Sequence, residues 1–253
     1  MNPLLLVFLG FIACLVIYWV FWGQRKFEEQ LNPKERKELQ AIVFDLDGVL
    51  IDSFEAWFNA INIARKKYGF KEYSEKEYRK KFWAMPLEGF ADKEFPDIDK
   101  TKIVSIAKQH VINNTEKIKI LPHAREVLEH IKKNRYKMAL VTNNYHSVVD
   151  AVLKHHKLDS FFDTIVTFED VQRPKPYADS LIKVCERLNL TTKEIIYIGD
   201  TKMDFRAAQA AGIFFVGLRT KGNIIVDDLK YFKEIIVQRE KTTSTKESTK
   251  NKV

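Results

Sequence analysis

Cysteine is nearly absent. Cys14 and Cys185 are the only two in 253 residues, too few for a disulfide framework, so a reducing compartment is the natural fit. Zinc-type spacing is also missing, and no basic stripe interleaved with stacking aromatics occurs, which together argue against nucleic acid as a partner. No internal repeat recurs along the chain. The formal net charge of +8 therefore reads as solvated helix faces, as in Ala64-Arg-Lys-Lys67, plus attraction to an anionic membrane surface. Hydrophobic residues at 45% and charged residues at 30% describe an ordinary folded protein, long enough for one large domain or a domain with an insertion.

Charge is missing altogether from Pro3 to Trp22, PLLLVFLGFIACLVIYWVFW. Roughly twenty apolar residues, at about 1.5 Å each, span a hydrocarbon core of about 30 Å, so a transmembrane anchor is expected over residues 3–22. A cleaved signal peptide fits less well, because no Lys or Arg precedes the run and no small-x-small site follows it. Arg25 and Lys26 come directly after the aromatic belt of Tyr18, Trp19 and Trp22, which by the positive-inside rule places the rest in the cytoplasm. The expected localisation is thus a single-pass membrane protein with a cytoplasmic catalytic domain. A charged tether over 23–40 follows, and a disordered tail over 238–253, where apolar periodicity stops.

Beyond residue 40, short apolar runs alternate with helical periodicities, the pattern of a parallel sheet with crossover helices. Strands are expected at Ala41–Phe44, Lys137–Val141, Thr164–Phe168, Glu194–Ile198 and Ile213–Val216, with a weak edge strand at Ile224–Val226. The fold class is α/β, a Rossmann-like parallel sheet. Strand patterns fail between Phe54 and Lys119, where only helical ones occur, at Ala56–Tyr68, Glu75–Phe82 and Lys100–Glu116. An inserted helical subdomain over 54–119 is expected, with the core built from 41–53 and 120–237.

In such a sheet ligands bind beyond the carboxyl ends of the strands. Four of those ends are polar: Asp45 and Asp47 after the first, Thr142-Asn143-Asn144 after the second, Lys175 after the third, and Asp200 with Asp204 after the fourth. Singly, each has a dull explanation as a cap, a turn or a surface residue. Together, several buried carboxylates repel one another unless a cation sits between them, and a hard divalent ion such as Mg²⁺ fits an all-oxygen set.

The segments DLDGVLIDS, LVTNN, RPKP and GDTKMD resemble, in order, the four motifs of the haloacid dehalogenase superfamily, in its phosphoglycolate phosphatase-like and β-phosphoglucomutase-like branch with a helical cap. The resemblance implies a Mg²⁺-dependent phosphatase acting on a small phosphorylated metabolite such as phosphoglycolate. By that resemblance Asp45 is the nucleophile that becomes an aspartyl-phosphate, and Asp47 is the general acid and base. Thr142 and Asn143 bind phosphate oxygens, and Lys175 neutralises charge. Mg²⁺ is held by Asp45, the main-chain carbonyl of Asp47 and Asp200, with Asp204 as a further ligand or an orienting group. Gly48 suits a tight turn, while Asp52 and Ser53 are read as structural. Phe82, Trp83 and Phe90 are read as packing within the cap rather than as substrate contacts.

Two other readings are weighed. A sugar phosphomutase of the β-phosphoglucomutase type has a histidine twelve residues after the nucleophile, where this chain has Trp57. A non-catalytic, membrane-tethered binding protein would be expected to lose at least one of Asp45, Asp47, Lys175 and Asp200, and all four are present. Oligomeric state is left open.

Overall fold

The computed structural model describes residues 39–81 and 85–236. The expected anchor, all but the last residues of the tether, and the tail lie outside the described residues, as do Phe82 and Trp83. The expected membrane localisation does not stand. Among the described residues no helix is long and apolar enough to cross a membrane. The longest, Phe54–Lys67, has 14 residues, about 21 Å at 1.5 Å per residue against a core of about 30 Å.

Six strands form one sheet in the order β5-β4-β1-β6-β7-β8. They are β1 (Ala41–Phe44), β4 (Lys137–Val141), β5 (Thr164–Val166), β6 (Ile195–Gly199), β7 (Phe214–Leu218) and β8 (Ile224–Val226), and every pairing is parallel. Strand β1 is central and wholly buried. Its alternation supplies both faces of the sheet, as period-two side chains must. Ile42 and Phe44 join one cluster with Met138, Leu140, Ile196 and Ile198, while Ala41 and Val43 join the other with Ala139, Val141 and Tyr197. Helices α5 (Ala124–Lys133) and α6 (His146–His155) bury their apolar stripes in the first cluster. Helices α7 (Asp179–Leu188) and α8 (Lys202–Ala211) bury theirs in the second.

Register decides where the strand ends fall. Phe44 lies level with Leu140 on one side and Ile198 on the other, so the residues that follow the three strands emerge together. The chain leaves β1 for β4 on one side and returns through β6 on the other, making the β1 edge the topological switch point where α/β sheets bind ligands.

Between β1 and β4 the chain leaves the sheet. Strands β2 (Ile51–Asp52) and β3 (Lys119–Ile120) pair antiparallel and close the base of this excursion, and Leu121 N–H donates to the Leu50 carbonyl at 2.9 Å. Helices α1 (Phe54–Lys67), α2 (Glu75–Lys81), α3 (Leu87–Glu94) and α4 (Lys100–Ile112) fill it. Helices α1 and α4 bring the buried Ala60, Ile61, Ala64, Ile103, Ala107 and Val111 into the same apolar cluster, and Asp99 caps α4 by accepting from Thr101 N–H at 2.9 Å.

Local details differ from the sequence expectation. The strand expected to reach Phe168 stops at Val166, because Thr167 caps a short 3-10 turn and shares a reciprocal capping box with Asp170. The helix expected to reach Glu116 stops at Ile112, where Asn113 and Asn114 lead into another 3-10 turn. Helix α3 was not anticipated: it is 8 residues long and buries only Phe90 and Ala91, too little periodicity to register.

Candidate active site

Asp45 is the first residue beyond the buried β1 strand. Its N–H donates to the Ile198 carbonyl at 2.9 Å, so the sheet's hydrogen bonding carries one residue past the strand and holds the carboxylate at the rim. Lys175 arrives from the loop after β5 and is 4% exposed. Its ammonium donates to Asp45 Oδ1 at 2.7 Å, Asp204 Oδ1 at 2.7 Å, the Val141 carbonyl at 3.2 Å and Tyr197 Oη at 3.2 Å. Burial disfavours the charged amine, but the Asp204 and Asp45 carboxylates outweigh it and raise the Lys175 pKa.

Asp204 is fully buried on the first turn of α8. Oδ1 accepts from Lys175 and from the Tyr197 hydroxyl at 2.5 Å. Oδ2 accepts from Thr201 N–H at 3.0 Å and from the Thr201 hydroxyl, closing a capping box. Burial alone would raise its pKa, but Lys175 and these hydrogen bonds pull it below the usual carboxylate value. Both Asp204 oxygens thus accept hydrogen bonds from within the protein.

Asp200 contrasts with it. Its Oδ1 is buried without a hydrogen-bond partner, and burial, then the Asp204 charge, push its pKa up to about 7. Oxygens of Asp45, Asp200 and Asp204 lie within 4.8 Å of one another. An orphaned carboxylate oxygen inside a cluster of hard donors is what a divalent cation would satisfy, and so the residues present fit Mg²⁺. Gly48 makes room for this arrangement: its φ is +84°, and a Cβ there would stand 2.1 Å from Asp200 Oδ2.

Asp47 is held separately. Oδ2 accepts from Asn144 Nδ2 at 2.8 Å, and Oδ1 accepts from the Ser53 hydroxyl. Burial raises its pKa, and the two hydrogen bonds only partly offset that. Burial also raises Asp45 well above the carboxylate range, with Asp204 adding to it against Lys175. Thr142, 2% exposed, accepts from Asn144 N–H at 3.1 Å through its hydroxyl oxygen. That leaves its hydroxyl proton free to donate elsewhere.

The Asn143 side chain meets the loop that carries Lys175. Its carboxamide spans the Lys175 backbone, Nδ2 donating to the Lys175 carbonyl at 3.0 Å and Oδ1 accepting from Lys175 N–H at 3.0 Å. The side chain is thus committed to positioning Lys175, and only its main-chain N–H is left to meet an anion.

Most of these residues open onto one cleft enclosing about 730 Å³, part of it open to solvent, while Gly48 and Asp200 line a second. Asp45, Asp47, Thr142, Asn143, Lys175 and Thr201 lie on the sheet side of the first, while Trp57, Phe90 and neighbouring apolar residues line it from the insertion. Phe90 both lines the cleft and packs on Phe95 at 6.0 Å. Sequence reasoning missed Asn144, Tyr197 and Thr201, and read Ser53 as structural. Thr201 carried a signal, a Thr three residues before an Asp at a helix start. Tyr197 did not, since in a buried strand it looks like core.

A family model described as haloacid dehalogenase-like hydrolase matches residues 42–218. A Thermotoga maritima protein named phosphorylated carbohydrates phosphatase is 32% identical over 181 residues, covering 69% of this chain and 82% of its own. The pyrophosphatase PpaX of Bacillus cereus is 29% identical over 180 residues, covering 69% and 81%. Among solved structures, β-phosphoglucomutase of Clostridium difficile superposes with a TM-score of 0.72 at 22% identity, covering 82% of this chain and 99% of that one. CbbY of Rhodobacter sphaeroides, solved with phosphate, gives 0.69 at 18% identity, covering 75% and 94%. At those identities the superpositions establish the fold alone.

Proposed function

The chain belongs to the haloacid dehalogenase-like hydrolase family and is a phosphoric monoester hydrolase, and we propose that it is a Mg²⁺-dependent phosphatase that cleaves a small phosphomonoester through an aspartyl-phosphate on Asp45. The observation that carries the reading is the division of labour among four aspartates. Asp45 is aimed and charge-balanced by Lys175, Asp47 is held apart by Ser53 and Asn144, Asp200 has an orphaned oxygen, and Asp204 is fully saturated.

In this reading an Asp45 oxygen attacks phosphorus, the bond to the leaving oxygen breaks, and the phosphoryl group passes to the carboxylate. Asp47 gives its proton to the leaving oxygen. Its burial and raised pKa favour the protonated form needed, and its two hydrogen bonds fix the direction of transfer. It then takes a proton from the water that attacks the acyl-phosphate, releasing inorganic phosphate and restoring Asp45. Thr142 Oγ1 and the N–H of Asn143 meet phosphate oxygens, and Lys175 balances the charge on Asp45. Asp45, Asp200 and the Asp47 carbonyl would hold Mg²⁺, with Asp204 orienting Lys175 behind them. A bound Mg²⁺ would supply electrostatic stabilisation of phosphate charge.

The two curated relatives are named for phosphorylated carbohydrates and pyrophosphate, consistent with phosphoryl chemistry on a small molecule. The mutase reading gains nothing here, because Trp57 lines the cleft and an indole cannot shuttle a proton as histidine does. The purified protein is expected to hydrolyse p-nitrophenyl phosphate with Mg²⁺ and to stop on chelation. Equal turnover in Asp45→Asn would overturn the nucleophile assignment.

A further inference from the structure

Tyr197 lies in the middle of β6, level with Val43 of β1 on one side and Phe215 of β7 on the other. It is fully buried. Its neighbours along the strand, Ile196 and Ile198, belong to the apolar cluster on the opposite face of the sheet. The Tyr197 ring packs as a phenylalanine would, 5.5 Å from the Phe215 ring and in one cluster with Val43, Val141 and Ala207. A hydroxyl adds nothing to that packing, and burying it is costly unless it is bonded.

Its bonds lead to the rim. The Tyr197 hydroxyl donates to Asp204 Oδ1 at 2.5 Å and accepts from the Lys175 ammonium at 3.2 Å. An ammonium has three protons, and four oxygens surround this one: Asp45 Oδ1 and Asp204 Oδ1 at 2.7 Å, the Val141 carbonyl and Tyr197 Oη at 3.2 Å. The two carboxylates therefore compete for one cation, Asp45 at the rim and Asp204 behind it. Thr201 supplies Asp204 Oδ2, so Oδ1 is the oxygen that draws on Lys175. Among the described residues, Tyr197 is the one other donor to that oxygen.

Resting on the phosphatase reading, we propose that Tyr197 is a positioning residue for the nucleophile: its hydrogen bond to Asp204 Oδ1 weakens that carboxylate's hold on Lys175 and keeps the ammonium on Asp45. Tyr197 is not among the residues that line the cleft, so it acts through Lys175 and not by touching substrate. Were the hydroxyl merely a buried group bonded to the nearest acceptor, its removal would alter stability and leave turnover per folded molecule alone.

The test measures kcat and KM of the purified full-length protein and of Tyr197→Phe on p-nitrophenyl phosphate with saturating Mg²⁺, per folded molecule by circular dichroism. Tyr197→Phe keeps the ring, and kcat should fall about tenfold or more, the range for residues that orient a working group. KM should stay the same or drop, as expected when an interaction of the transition state is lost. In an Asp204→Asn background the same substitution should cost less than about twofold, because the competing charge is gone. Wild-type kcat in folded Tyr197→Phe, a rise in KM alone, or losses that multiply in the double variant would overturn the inference and leave the phosphatase reading standing. Tyr197→Met removes the hydroxyl with a different shape and should show the same fall, so it decides the matter if Tyr197→Phe does not fold. No Mg²⁺-dependent hydrolysis by the folded wild-type protein would overturn both.

Discussion

The sheet-side rim and the helical wall of the insertion face one another across the same cleft, yet they are built by opposite rules. On the rim nearly every polar atom has an assigned partner. Asp204 uses both oxygens, Asn143 both ends of its amide, and Lys175 donates to four oxygens. On the opposite wall the contacts are apolar and aromatic, and Tyr78 packs at 5.8 Å from both Phe54 and Phe58. Buried polar groups are costly unless satisfied, so a rim of this kind tolerates almost no substitution. Apolar walls tolerate changes that keep volume, which leaves them free to set which alcohol is accepted. In the proposed function, bond breaking belongs to one wall and selection to the other.

That contrast can be broken experimentally. The largest effect is expected for Asp45→Asn: turnover should fall to background while circular dichroism and the thermal transition persist, since the amide is nearly isosteric. Residual activity close to wild type would remove the distinction between the walls. Asp47→Asn should cost about 10² to 10⁴ in kcat, the usual worth of a positioned general acid and base, and the loss should shrink for p-nitrophenyl phosphate, whose leaving group needs little protonation. Asn143→Ala should cost about 10- to 100-fold in activity, the range for residues that orient a working group. Its kcat should fall more than KM rises, because the amide holds the Lys175 backbone on both sides.

Asp200 gives a pH signature. Its pKa is raised from the ordinary carboxylate value to about 7, mainly by burial. In metal-free protein the folded state therefore holds this proton more tightly than the unfolded chain does. Its contribution is fully present below about pH 4 and is lost as pH rises through about 7. Thermal scans with chelator should show the melting temperature falling over that window, and Asp200→Asn should flatten the fall. Added Mg²⁺ should restore wild-type stability at pH 8 but not act on Asp200→Asn to the same degree, by about 2.7 kcal/mol at a hundredfold excess over Kd. An identical Mg²⁺ response in the variant would argue against Asp200 as a ligand. The smallest effect belongs to the helical wall. Ile61→Val should cost about 0.5–1.5 kcal/mol of stability in denaturant unfolding and shift KM for apolar esters more than kcat.

Much of the core was legible because its signals are local. The run AIVF must be buried on both faces to make sense, and the acids directly after it are therefore conspicuous. Gly48 was recognisable as a turn residue, although the reason for it, an Asp200 oxygen where a Cβ would stand, lies 152 positions away in the chain. The two-residue ribbon of β2 and β3 left no trace in the pattern, since each half gains meaning only by pairing with the other. Asn144 stood in plain view beside Thr142 and Asn143, but its partner Asp47 is 97 residues distant. Within that triplet only the surroundings decide which amide meets the Lys175 loop and which meets Asp47, because both partners come from distant parts of the chain.

By itself the sequence determined the chain order of the six sheet strands, the parallel α/β class and the set of charged residues at the strand ends. Those follow from periodicity and from the cost of placing acids beside buried strands. Tertiary structure alone decided which partners each of the four aspartates meets, which asparagine side chain holds the Lys175 backbone, and that the described residues lining the cleft from the insertion carry no charge. These depend on which distant segments meet, and that is set by sheet order, strand register and where the helical insertion comes to rest.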